Sequence, residues 1–75
     1  MSSYKTGIKA HDDACNAAEG VRQTAVMAAT NQAAATAAEI TFYQTVAKSC
    51  RNNANYSGVG VAMQALRALG VTGAF

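Results

Sequence analysis

Apolar residues recur at steps of three or four along most of this chain: Ala14, Ala18, Val21, Ala25, Ala29, Ala33, Ala37, Ile40, Tyr43, Ala47, Cys50 and Ala54. Eleven steps cover 40 residues, an average close to the 3.6 residues per turn of a straight α-helix rather than the 3.5 of a coiled coil. A second apolar strip, Met27, Ala34, Ala38, Phe42 and Val46, falls on a neighbouring face. No charge occurs between Arg22 and Glu39, and the chain has no proline. Alanine is the strongest helix former, and Gln, Glu, Lys and Met follow closely. The pattern predicts an all-α chain whose main element is one long helix from about residue 9 to about 52. Its main stripe consists almost wholly of small side chains. Such a stripe lets helix axes approach more closely than the usual roughly 8–10 Å. A helix with two apolar faces predicts more than one neighbour, and so an array.

The ends of this helix carry the expected chemistry. Ser2, Ser3 and Thr6 are candidate N-caps. Asp12 and Asp13 suit the positive end of the helix dipole, and Lys48 and Arg51 suit the negative end. Gly20 weakens the middle by about 1 kcal/mol, which an alanine-rich context absorbs. The structural alternative is a hairpin with its turn near Ala29 to Gln32, where Asn31 is the only turn-prone residue. Asn52 to Gly60, NNANYSGVG, is turn chemistry. Val61 to Leu69 then predicts a short second helix, with Val61, Ala65, Leu66 and Leu69 on its apolar face. Gly70 fits the left-handed position after that helix, with Val71 behind it, and the terminal Phe75 is expected to dock on a neighbour.

Composition narrows the reading. A chain of 75 residues forms one domain with a small core, marginal without staples or partners. The hydrophobic share is 51%, but much of it is alanine, which buries little area at roughly 25 cal/mol per Å². A net charge of +2 falls short of a nucleic-acid footprint. Asn31, Gln32, Thr36 and Glu39 interrupt the best candidate membrane span. The N-terminal MSSYKTGIKAHDD lacks the apolar core of a signal peptide, so a cytoplasmic location is expected.

Candidate chemistry is sparse. Asp12 and Asp13 are adjacent, so on a helix they point about 100° apart and do not share a substrate. His11 beside them is expected to be solvated. Gly58 and Gly60 lack the rest of any nucleotide fingerprint. Ser49 and Cys50 have no His within helical reach. No catalytic, cofactor or metal site is expected, and an enzyme is not. Cys15 and Cys50 lack zinc spacing and read as two small buried residues. On an unbroken helix they would lie some 50 Å apart at about 1.5 Å per residue. A disulfide would then need a second subunit or a hairpin.

Phe42 to Ser49 reads FYQTVAKS. It resembles the (L/F)YQ-x-x-A-x-S segment of the R-body proteins, the small subunits of refractile bodies, which are likewise short, rich in Ala, Gln, Asn and Thr, and low in charge. Val59-Gly60-Val61 through Gly73 is similar to their C-terminal part, whereas the two cysteines and the Arg51-Asn52-Asn53 run depart from their pattern. The resemblance implies a cytoplasmic ribbon rolled into a coil, extended by acid and associated with killing or lysis of another cell. It would place Tyr43, Gln44 and Ala47 in subunit packing.

The expected function is therefore self-assembly into a filament or ribbon, with copies of itself or paralogous subunits as partners. The expected interface is Ala25, Ala29, Ala33, Ala37, Ile40, Phe42, Tyr43, Ala47, Leu66, Leu69 and Phe75. Glu39, Asp12, Asp13, Glu19 and His11 are the groups expected to respond to acid, Glu39 through burial at a contact between subunits. The rivals are a small helical adaptor or regulator acting as a dimer, and a membrane-active toxin. The latter would need a stronger amphipathic moment than an alanine stripe supplies.

Overall fold

The computed structural model describes residues 4–71. They form three helices, α1 (Lys9–Ala28), α2 (Gln32–Asn52) and α3 (Tyr56–Ala68), with no strand among the described residues. The chain is all-α, but the single long helix is not what forms. It is broken at residues 29–31, where the hairpin alternative places its turn. Ala29 is extended (φ −68°, ψ 133°), and so is Asn31 (φ −154°, ψ 168°). The Asn31 side-chain oxygen accepts the Ala34 N–H at 2.8 Å, capping the first turn of α2. Propensity alone favours continuation through the alanines. Reversal wins because it brings Cys15 of α1 against Phe42, Val46 and Cys50 of α2, burial that one straight helix cannot make. Gly20 stays inside α1, with nothing within 4 Å of where a Cβ would stand.

The second turn is tighter than predicted, and α3 begins at Tyr56 rather than Val61. Asn55 caps it by accepting the Gly58 N–H at 3.2 Å, so Gly58 and Gly60 are helical. The end of α2 is a Schellman motif. The Asn55 N–H reaches the Cys50 carbonyl at 2.8 Å and the Ala54 N–H reaches Arg51 at 3.3 Å. Ala54 occupies the left-handed position of that motif, at φ 57°. The end of α3 repeats the motif. Gly70 is left-handed at φ 89°, as predicted, and the Val71 N–H bonds to the Leu66 carbonyl at 2.9 Å. Phe75 lies outside the described residues, as do Ser2, Ser3 and Gly73.

Helix α2 packs against both α1 and α3, which do not pack against each other. The result is flat, 36 × 29 × 13 Å. Its surface of 4807 Å² exceeds the roughly 4300 Å² expected for a folded monomer of this mass. The core is Cys15 from α1, Phe42, Val46, Ala47 and Cys50 from α2, and Ala62 from α3. Leu66 is also buried. From Asn16 to Thr41, the outer half of the hairpin with its tip, no residue is buried.

Ala54 carries the cost of a left-handed residue with a Cβ, about 1–2 kcal/mol. Ala54→Gly removes that cost while loosening the unfolded chain, and it should stabilise the fold by about 0.5–1 kcal/mol. Thermal unfolding followed by circular dichroism checks this. An unchanged or lower midpoint would show that the left-handed residue is not strained.

Candidate functional site

The first candidate is a polar cluster sealed in the seam between α1 and α2. His11 and Cys15 stand one turn apart on α1, and Ser49 and Cys50 follow each other near the end of α2. The hairpin sets them face to face. His11 Nδ1 and Ser49 Oγ are 2.8 Å apart and share a hydrogen bond. Cys15 Sγ lies 3.6 Å from His11 Nδ1, and the sulfurs of Cys15 and Cys50 each lie 3.9 Å from His11 Nε2. The ring of Tyr4 meets the imidazole edge-on at 6.3 Å. Only 1% of His11 and 8% of Ser49 is exposed. Burial pushes both thiols above their ordinary value, and at Cys15 a hydrogen bond with Ser49 opposes part of that rise. The thiols of the closed hairpin are therefore held protonated.

This arrangement corrects two expectations. His11 is buried, not solvated. Ser49 and Cys50 do have a histidine in reach, supplied across the seam rather than along their own helix. The two cysteines are buried, as expected, and the broken helix brings both against one ring, where an unbroken one would hold them about 50 Å apart. Ser49 and His11 have the separation of a nucleophile and its base, but both lie inside the seam, where a substrate has no access while the helices are closed. Among the described residues no group of three or more His, Cys, Asp or Glu is arranged to hold a metal ion. Two thiols and one imidazole also leave the cluster one donor short of a structural zinc site.

The second candidate is an open groove of about 520 Å³ along the hairpin. Its α1 wall includes Ala17, Val21 and Ala25, and its α2 wall includes Ala34, Ala37 and Ala38. Alanine methyls are too short to close the space between the two helices. Arg22 and Phe42 also line it. The Arg22 guanidinium lies over the Phe42 ring at 4.9 Å and donates from Nη1 to Glu39 Oε1 at 3.0 Å. Arg22 Nε is buried without a hydrogen-bond partner.

The expected interface residues divide between these regions. Ala25, Ala33 and Ala37 are exposed, and Ala29, Ile40, Tyr43 and Leu69 are half-buried. Phe42, Ala47 and Leu66 are buried inside the chain itself. Ala47 and Phe42 of the FYQTVAKS segment thus pack in the chain's own core. Among the acid-response candidates, Glu39 is paired with Arg22 and not left alone at a contact. Asp13 pairs with Lys9 at 2.6 Å on the surface, and Glu19 is half-buried. Asp12 accepts the Thr6 hydroxyl at 2.7 Å and the N–H groups of Thr6 and Gly7 at 3.0 and 3.1 Å. These bonds hold its carboxyl below the usual range, so Asp12 stays charged throughout the mildly acidic interval in which it was expected to respond. Asp12, not a residue of the lead itself, ties the lead to α1, whose N-cap residue Ile8 makes no side-chain capping bond.

Sequence reasoning missed Gly58. A Cβ there would stand 2.7 Å from Cys50 Sγ and 2.8 Å from Asn55 Nδ2, so α3 lies against the cluster at a point where any larger residue must displace those side chains. Comparison with protein-family models, curated proteins and solved structures finds no match. No helix among the described residues is long and apolar enough to cross a membrane.

Two outcomes follow. Gly58→Ala should destabilise the fold by roughly 1–3 kcal/mol through overpacking, and Cys50→Ala in the same chain should recover part of the loss. A cycle of denaturant midpoints measures this, and strict additivity would deny the contact. For Asp12 the folded value lies below the unfolded one, so its stabilisation is present above the ordinary carboxylate value and lost as pH falls through the lowered one. Asp12→Asn should therefore lower the melting midpoint equally at about pH 7 and pH 5, and the difference from the parent should shrink only once pH falls below the ordinary carboxylate range. A difference that already fades by about pH 5 would show that the Thr6 and Gly7 bonds do not hold the carboxylate.

Proposed function

We propose that this chain is a structural subunit that assembles with copies of itself through the alanine face of the α1–α2 hairpin into an open array. The observation that carries the reading is the outer half of that hairpin. From Asn16 to Thr41 no residue is fully buried and many are exposed, although helices this long depend on tertiary packing for most of their stability. A neighbouring helix laid in the groove would cover Ala17, Val21, Ala25, Ala34 and Ala37 together, and its backbone or side chains would offer an acceptor to Arg22 Nε.

Apolar side chains exposed outside the groove favour an array over a closed pair. Tyr56 is 71% exposed and Val61 67% exposed. Both belong to α3, and neither lines the groove between α1 and α2. A groove that meets apolar side chains lying outside it makes a head-to-tail contact, which propagates unless its rotation closes a ring. A standard interface of about 800 Å² per partner would take about a sixth of this chain's surface, which leaves room for both. The coiled ribbon implied by the FYQTVAKS resemblance is one array of this kind. No family match accompanies it, and the proposal rests on the open groove alone.

Ala37 decides the matter. It is exposed and lines the groove, so Ala37→Leu keeps a good helix former and disturbs no buried contact of the single chain. At a close interface the added bulk costs roughly 1–3 kcal/mol. The parent should sediment as large polymers visible by negative stain, and the variant as one or two chains of unchanged helicity. A parent that sediments as a single chain overturns the proposal. A parent that stops at two chains replaces it with the dimeric adaptor, and normal polymers from the variant remove the groove from the interface.

A further inference from the structure

We propose that Cys15 and Cys50 form an oxidation site, a sealed dithiol that hydrogen peroxide converts into a disulfide within one chain, stapling α1 to α2. The two thiols come from opposite legs of the hairpin and are free. Each sulfur is 3.9 Å from the same atom, His11 Nε2, so the sulfurs are separated by no more than twice that distance. Both belong to one buried cluster, where neither is exposed to a second chain. The inference is independent of assembly, because neither cysteine lines the alanine groove.

The chemistry balances with the oxidant named. One thiol, as its thiolate, attacks a peroxide oxygen. The O–O bond breaks, the departing hydroxide takes up the thiol proton as water, and a sulfenic acid remains. The second sulfur then attacks the sulfenic sulfur. An S–S bond forms, the S–O bond breaks, and hydroxide leaves as the second water. Each sulfur loses one electron and peroxide takes up two. His11 is the only imidazole in the chain and touches both sulfurs, so it is the group placed to accept the proton of the second thiol and pass it to the leaving hydroxide.

Burial selects the oxidant and sets the timing. Cys15 and Cys50 are essentially inaccessible in the closed hairpin, so a brief, partial opening admits a molecule close to water in size sooner than a bulky disulfide. Buried protonated thiols are inert, so reaction follows opening of the seam at the start of α1. Helix ends open first, and an opening here must break the bonds by which Asp12 and Asn16 hold the lead. Tyr4 stands edge-on over His11 at that same end.

The test exposes the full chain to hydrogen peroxide near neutral pH, then alkylates the remaining thiols in denaturant. The alkylated cysteine count should fall from two to zero with no chain carrying one. Peptide mapping should show a Cys15–Cys50 link that dithiothreitol reverses, and non-reducing gels should show no linked dimer. The melting midpoint of the oxidised chain should rise, because the link restricts the unfolded state. His11→Gln should slow closure, so that a sulfenic acid accumulates and is trapped by dimedone. If that variant does not fold, the mapping of the parent still decides. Two thiols left alkylatable, links between chains, or sulfinic acid in place of a disulfide would each overturn the proposal.

Discussion

The bond between His11 and Ser49 holds the register on which the rest of the structure depends. A buried imidazole without a partner costs roughly 1–3 kcal/mol, and at 2.8 Å Ser49 supplies the partner. Sliding α1 by one turn, about 5.4 Å, would break that bond and leave the ring buried with an unmet polar atom. The same slide would pull Arg22 from Glu39, the second polar link across the seam. The surrounding apolar contacts are too uniform to select a register alone, because one alanine fits against a helix much as the next does. Two polar pairs on an otherwise bland surface therefore specify how the helices meet.

Much of the fold is legible in the sequence, and what is not depends on contacts between helices. Helix content, the start of α1, the turn after Asn52 and the left-handed Gly70 all follow from local chemistry, which these residues carry strongly. The break at residues 29–31 does not, because alanine marks neither turn nor core, and a single Asn31 must outweigh a helix-forming run. A long-range signal was nevertheless present. His11 with Ser49, and Arg22 with Glu39, are centred on nearly the same point of the chain, close to Asn31. Complementary pairs symmetric about one residue are what an antiparallel hairpin requires. A search for helical repeats passes over them.

The glycines show the opposite error. Gly58 and Gly60 read as turn residues, yet both lie in α3. Gly58 is there because α3 passes so close to Cys50 that a larger residue must displace the Cys50 side chain. Local propensity opposes glycine within a helix by about 1 kcal/mol, and the contact between helices offsets that cost. Asn55 makes the arrangement possible by capping α3 directly after the Schellman turn of α2. Of the candidate cluster, the His11–Ser49 pair shows the hairpin's symmetry, but nothing in the sequence joins the two cysteines to it. His11, Cys15, Ser49 and Cys50 are two short pieces of sequence that only the hairpin unites.

Side-chain size divides the molecule into two parts with different roles. Phe42, Val46 and Leu66 gather, with the polar cluster, at the end of the hairpin farthest from its tip, and the single chain gains its cohesion there. Toward the tip the facing residues are alanines, and a methyl group is too short to fill the space between two helices. The alanines that make up most of the lining have no rotamer with which to fill the groove. Closing it requires atoms from elsewhere. A second helix can supply them along the whole length of the groove, which a compact small molecule cannot do. Stability of the single chain and the capacity to receive a neighbour thus rest on different residues, so the groove can change without unfolding the core.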